Sequence, residues 1–377
     1  MTALRHLSLL VLAALPQLCL FAAQALLLAQ GQIENILALA RYCGLLGLLF
    51  LAFDGQSGLF PAMLRLRHQP AEIARAYRLY RLGMLAALAT LALVFWFFAP
   101  EETTSLIPFL IPAILLRLPF LDGDLDDRNL PHLAMFLQNV WMIPLALFAI
   151  GTGLPDATIA GHAALWSSLA YALCHRIVAR PALQQGALAV RPALAELLRL
   201  MALHGLAQLY GRFTLFALGA WFSGTLPALA IFAKQAFNAS GLLVSLLRRI
   251  ELRRPISTMR LSLAGQSAAA LFGAAVLGLA TIRLEAGMQF FFVLLCWQLL
   301  EKLSATAVYA DQTNNRHKAA FAALALVMAC GTAGLGFAAI SKTPLPFVWL
   351  EAFGYSAALT LWLRRNHRTV PLREPTP

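Results

Sequence analysis

Apolar residues fall in runs of roughly 20 along nearly the whole chain, separated alternately by short turns and by longer charged connections. A run of that length, at 1.5 Å per residue, matches the hydrocarbon thickness of a bilayer. The runs predict helices over 7–29, 36–60, 82–99, 104–121, 131–152, 158–178, 197–222, 225–247, 260–283, 286–308, 319–341 and 344–364. The expected fold is therefore an all-α polytopic membrane protein with about twelve transmembrane helices. Residues 7–29 exceed the apolar core of a signal peptide and lack a clear cleavage site, so they read as the first span.

The connections after spans 2, 4, 6, 8 and 10, together with the two tails, hold most of the positive charge, including Arg65, Arg67, Arg75, Arg78, Arg81, Arg117, Arg176, Arg248, Arg249, Arg253 and Arg254. The short turns carry only Arg283 and Lys342. Positive residues concentrate on the cytoplasmic side, which predicts an N-in, C-in topology. The halves also repeat: Ser57-Gly58-Leu59 with Leu64-Arg65 recurs as Ser240-Gly241-Leu242 with Leu247-Arg248, an offset of about 183 residues that also carries first-half spans onto second-half spans. Six helices per half gives both halves the same orientation, as in transporters built from two pseudo-symmetric bundles. The expected division is a six-helix bundle over 1–180, a cytoplasmic linker over 181–196, a second six-helix bundle over 197–365 and a tail over 366–377.

Composition agrees with this picture. Of 377 residues, 60% are hydrophobic and 12% charged, against about 45–50% and 25% for soluble domains. The net charge of +12 is accounted for by topology rather than nucleic-acid binding, since no basic block with interleaved aromatics lies outside the helices. Cys19, Cys43, Cys174, Cys296 and Cys330 all sit in apolar runs without a CxxC pair, so no disulfide framework, metal site or cofactor is expected. Nucleotide-binding glycine loops and the HExxH and GxSxG signatures are absent. Carboxylates spaced as Asp122, Asp124, Asp126 and Asp127 can hold a divalent cation. Beside Gly123, Asn129 and Pro131 the favoured reading is a solvated cytoplasmic turn.

Charges inside spans are costly and face polar routes or partners. Arg212 in span 7 and Lys234 in span 8 flank the turn at Ser223-Gly224, each about 15 Å deep. Arg41 in span 2 lies about 10 Å below the outer surface and has snorkelling to the interface as its alternative. No acidic residue stands one or two turns from Arg212 or Lys234 in its own span. Glu301 and Glu351 are the acids inside spans and the candidates for pairing or ion coupling. Two cations at one depth are best satisfied by an anionic ligand such as a diphosphate or an acidic sugar. Gln208 and Asn238 on the same helices are the further substrate-binding candidates; Gln24, Gln235 and Gln298 offer amides that equally serve as interhelical glue.

Phe53-Asp54-Gly55-Gln56-Ser57-Gly58-Leu59, followed by the basic stretch from Arg65 to Arg81, resembles the polysaccharide (O-antigen type) flippases of the multidrug/oligosaccharidyl-lipid/polysaccharide exporter superfamily. Gly211-Arg212-Phe213 resembles that family's seventh helix, with Gly211 where an acid is usual. The resemblance implies a MATE-like pair of bundles in the bacterial inner membrane. It implies alternating-access translocation of an undecaprenyl-diphosphate-linked oligosaccharide to the periplasmic leaflet, with membrane lipids and other polysaccharide-assembly proteins as partners. Arg212, Lys234 and Arg41 would hold the diphosphate. The alternatives are a cation-coupled multidrug exporter of the same superfamily and a membrane polysaccharide polymerase or ligase; the short outer turns count against the enzyme. A structural membrane scaffold is the remaining alternative, and it would not need buried cations.

Overall fold

The apolar runs fold as helices, with no strand among the described residues. The computed structural model describes residues 2–55, 60–64, 67–98, 105–127, 130–151, 153, 155–178, 190–240, 259–313 and 316–367. In chain order they are α1 (Thr2–Ala29), α2 (Ile33–Asp54), α3 (Phe60–Leu64), α4 (Pro70–Phe98), α5 (Ile107–Arg117), α6 (Asp122–Asp127), α7 (Pro131–Asn139), α8 (Met142–Gly151), α9 (Ala157–Val178), α10 (Val190–Leu200), α11 (Leu206–Trp221), α12 (Thr225–Ser240), α13 (Met259–Arg283), α14 (Met288–Thr313), α15 (His317–Ser341) and α16 (Leu345–His367). A π-turn, Met201–Gly205, joins α10 to α11. Each of the twelve predicted runs contains helix. By length and composition, Val11–Ala29, Ile33–Asp54, Met288–Val308 and Lys318–Ser341 are able to cross a membrane, and α7 with α8 passes the same test as a bent pair, a broken span or a re-entrant loop. The repeat segments Ser57–Leu59 and Gly241–Arg248 lie outside the described residues.

The helices form two compact units, Met1–Val276 and Leu277–Pro377. Within the first, α2 packs along α11, and both contact α12, which also packs on α1. Glycine makes the α2–α11 approach close enough for backbone to meet backbone. A Cβ on Gly219 would stand 2.5 Å from the Leu37 carbonyl oxygen and 2.6 Å from the Arg41 nitrogen, and one on Gly44 would collide with the Phe216 backbone. Small residues at such crossings give dispersion contact that larger side chains forbid. The pairing of Leu37–Arg41 with Gly219, Gly44 with Phe216 and Gly47 with Arg212 makes the two helices antiparallel. Phe21 of α1 stacks on Phe232 of α12 with ring centroids 5.5 Å apart.

The run predicted as one helix over 131–152 is bent by 48° between α7 and α8. Pro144 cannot donate a backbone hydrogen bond, which breaks the ladder just after the bend. The Val140 carbonyl that Pro144 cannot reach accepts from the Ile143 N–H at 3.1 Å, and the Gln138 carbonyl accepts from the Trp141 indole at 3.2 Å. Trp141 is buried there against Phe50.

In the second unit, α15 and α16 form a hairpin whose turn uses Lys342 in the left-handed region (φ 55°) as the helix cap. Gly334 lets the Phe347 backbone approach, since a Cβ there would lie 2.8 Å from its Cα. α14 packs on α16 through Trp297 and Phe347, edge to face at 5.9 Å.

The α2–α11 crossing carries a direct prediction. Gly44→Val or Gly219→Val should lower thermal stability by about 1–3 kcal/mol through overpacking, read as loss of folded protein in detergent melting. Gly211→Ala should be neutral, because a Cβ at Gly211 meets nothing within 4 Å.

Candidate functional site

Three predicted cations lie on helices of the first unit that pack on one another. Arg212 on α11 is partly exposed and lies over Gly47 of α2, where a Cβ would come within 2.9 Å of the Arg212 Cδ and 3.1 Å of its Nε. The absence of a side chain at Gly47 makes the space for this guanidinium. No carboxylate acts on it among the described residues; the titratable neighbour is the Cys43 thiol. Arg41 on α2 donates from Nη2 to the Tyr42 hydroxyl at 3.3 Å and lies 4.9 Å from that ring's centroid. Its buried Nε has no hydrogen-bond partner among the described residues. Lys234 on α12 is buried, with 3% exposure.

Around these cations, Gln208 is exposed and Asn238 half-buried. Two amides are more telling. Gln24 of α1 has no exposed surface, yet both its side-chain nitrogen and oxygen lack partners among the described residues, and so does the buried Gln235 nitrogen on α12. Unpaired buried amides are costly, so such groups point to a ligand, a water or another conformation that satisfies them.

The second predicted pair lies in the other unit. Glu351 of α16 is fully buried; its carboxylate accepts from the Trp297 indole at 2.6 Å and from the Tyr355 hydroxyl at 3.4 Å. Glu301 of α14 is half-buried, 4.0 Å from Lys302 and accepting from Gln298 at 3.4 Å.

The structure also holds a polar cluster in the first unit that the sequence reading placed in solvent. Arg81 and Arg117 were expected among the charges of the connections, and Asp122 in a solvated turn. All three are buried, at 0%, 5% and 0% exposure. Arg81 of α4 pairs through Nη2 with Asp54 of α2 at 2.5 Å. Its Nη1 donates to the carbonyls of Arg117, Leu118 and Phe120 at the end of α5. Gln138 of α7 donates to the other Asp54 oxygen at 3.4 Å. Arg117 donates from Nε to Ser168 at 2.9 Å, its guanidinium 4.1 Å from the Phe50 ring centroid and 4.7 Å from that of Tyr171. Asp122 accepts from the Tyr171 hydroxyl at 2.9 Å, with the His175 Nε2 at 3.3 Å. The segment Asp122–Asp127 is the short helix α6 rather than the expected solvated turn, with Asp124 partly exposed.

Two tyrosines close this end of α2. Gly55 caps α2 in the left-handed region (φ 61°), and a Cβ there would meet the Tyr80 ring at 2.7 Å. Tyr77 donates to the Gly55 carbonyl at 3.1 Å and Tyr80 to the Ala52 carbonyl. Burial, reinforced by the Asp54 charge, pushes the Tyr80 hydroxyl up to about 12 and raises Tyr77 well above its ordinary value, so both remain protonated donors. A signal for the cluster was present: Asp54, Arg117 and Asp122 stand at helix ends, with Arg81 inside α4.

No family model matches this sequence, and no curated protein matches it. Among solved structures, the chain is similar to a crystal structure of MATE in complex with MaD5, with a TM-score of 0.45, 12% identity and 96% of each chain covered. A likeness of that size establishes neither a shared fold nor a shared activity. Among the described residues no group of three His, Cys, Asp or Glu side chains is arranged to hold a metal.

Removing one member of a buried ion pair leaves the other charge uncompensated. Arg81→Ala and Asp54→Leu should each destabilise the first unit by about 3–5 kcal/mol. The double variant Asp54→Leu/Arg81→Met should recover much of that loss, which a double-mutant cycle of thermal melts will measure.

Proposed function

We propose that this protein is a flippase that moves a polyprenyl-diphosphate-linked oligosaccharide from the cytoplasmic to the periplasmic leaflet of a bacterial inner membrane. The observation that carries the reading is Arg212: a guanidinium at mid-span, lodged over Gly47 with no carboxylate acting on it among the described residues. A fixed cation without an acid in an apolar helix is stabilised by an anionic guest, and a diphosphate accepts the bidentate hydrogen bonds a guanidinium offers. Lys234 and Arg41 on the adjoining α12 and α2 add positive charge for the same anion. Gln208, Asn238, Gln24 and Gln235 supply amides suited to sugar hydroxyls.

In this reading twelve spans, N-in and C-in, form the bundles 1–180 and 197–365, which alternate access around the cationic site. The antiparallel course of α2 and α11 is what that topology requires of spans 2 and 7. Glu351, buried with indole and phenol donors, and Glu301 are the acids proposed to couple transport to a cation.

Arg212→Ala and Lys234→Ala should each abolish glycan export, at least about tenfold by the loss of one charge-assisted anion contact, while membrane levels stay normal. Wild-type export by both variants would overturn the assignment. A cysteine placed at Ser223 should react with an impermeant reagent added from the periplasm; reaction solely from the cytoplasm refutes the topology.

A further inference from the structure

α10 is an amphipathic helix whose apolar residues Leu197 and Leu200, with Met201 of the π-turn, pack on Phe60, Leu64, Ile73 and Tyr77 of α3 and α4. Beside this apolar patch lies a cluster of ionisable groups that spans the same junction. His68, in the connection between α3 and α4, has Nε2 2.8 Å from the Glu196 carboxylate of α10 and Nδ1 3.7 Å from the Glu72 carboxylate of α4. Arg67 reaches the other Glu196 oxygen at 3.2 Å, and the Gln69 backbone N–H donates to Glu72 at 3.1 Å. The His68, Glu72 and Glu196 side chains are 12%, 16% and 26% exposed, whereas Arg67 is 71% exposed. Screening therefore weakens the Arg67 contact most, and the histidine holds the junction's shielded charge. Of the other arginines described on these elements, Arg81 on α4 is taken up by Asp54 and the α5 carbonyls, while Arg75 and Arg78 on α4 and Arg191 and Arg199 on α10 form no hydrogen bond or ion pair among the described residues.

A histidine between two carboxylates is a charge-sensitive joint. Neutral imidazole donates from one nitrogen, so one carboxylate faces a lone pair; the imidazolium donates from both and attracts both acids. We propose that His68, Glu72 and Glu196 form a proton-sensitive latch that holds α10 against α3 and α4, engaged when His68 is protonated and loosened as pH rises. The latched helix continues through the π-turn into α11, and Glu196 stands sixteen residues before Arg212, about 24 Å along the axis. A local π-turn, less regular than the α-helix on either side, is the place for such a continuous run to flex. A role for the latch in alternating access rests on the flippase reading; the protonation-dependent contact does not.

The test is hydrogen exchange by mass spectrometry on the full-length protein in lipid nanodiscs, corrected for intrinsic exchange rates. Protection of Val190–Leu200 should fall at least about threefold in the wild type between pH 5.5 and pH 8, the window in which an imidazole changes charge. His68→Arg, with a permanent charge, should remain protected at both pH values, and Glu196→Gln should be poorly protected at both. Protection of His317–Ser341 in the other unit reports whether each variant is folded; should Glu196→Gln fail that check, the comparison of wild type with His68→Arg decides alone. Equal wild-type protection at both pH values overturns the latch, as does a His68→Arg variant that keeps the wild-type pH dependence. Neither readout involves glycan, so failure of the latch and failure of the flippase reading are separate results.

Discussion

A guanidinium with no exposed surface must find its acceptors inside the protein, and Arg81 finds them on two other helices at once. One edge of it neutralises Asp54 at the end of α2, and the other gathers the last carbonyls of α5, which an isolated helix leaves unpaired. Gln138 brings α7 to the same aspartate. Arg117, Ser168, Tyr171, Asp122 and His175 continue the network to α9. The ends of α2, α5 and α7 are thereby held in register with α4 and α9 by directional bonds, where apolar packing alone permits sliding.

That rigid end sets off the region in which the chain leaves polar groups unsatisfied. A few helical turns along α2 from Asp54, Gly47 opens a seat for Arg212, and nearby α1 and α12 carry amides with no partner among the described residues. Both regions keep buried polar atoms without a partner among the described residues, the Gln24 and Gln235 amides in one and the Arg81 Nε and Arg117 Nη2 in the other, but the Arg81 end is the one tied across helices by an ion pair and charge-assisted bonds. Glu351 in the second unit is likewise held, by indole and phenol donors to its carboxylate.

Much of the helix pattern was legible because run length and turn chemistry alone determine where an apolar helix begins and stops. The break between α7 and α8 was missed although Pro144 signals it, because apolar periodicity continues through the bend. Arg81, Arg117 and Asp122 were misjudged for a definite reason: charge beside an apolar run is cheapest in water, and only the fold brings five helices together so that water is replaced by internal partners. The candidate cations were legible from depth, whereas the role of Gly47 was not, since a glycine's contact depends on the helix opposite it. The start of α10 at Val190 was masked by its polar face, which interrupts the apolar run. The bundle division and the site roles depend on how the protein moves and what it binds, which a single chain of letters does not encode.

The π-turn of Met201–Gly205 bears on how this chain tolerates changes in length. Adding one residue to a helical turn resets the angular phase of everything beyond it by about 100°. Deleting one residue from Met201–Gly205 would restore an ordinary α-helix while turning α11 by that angle relative to α10. Glu196 and Arg212 would then no longer face His68 and Gly47 together. The extra residue acts as a phase spacer between a charged joint at one end and a lone cation at the other.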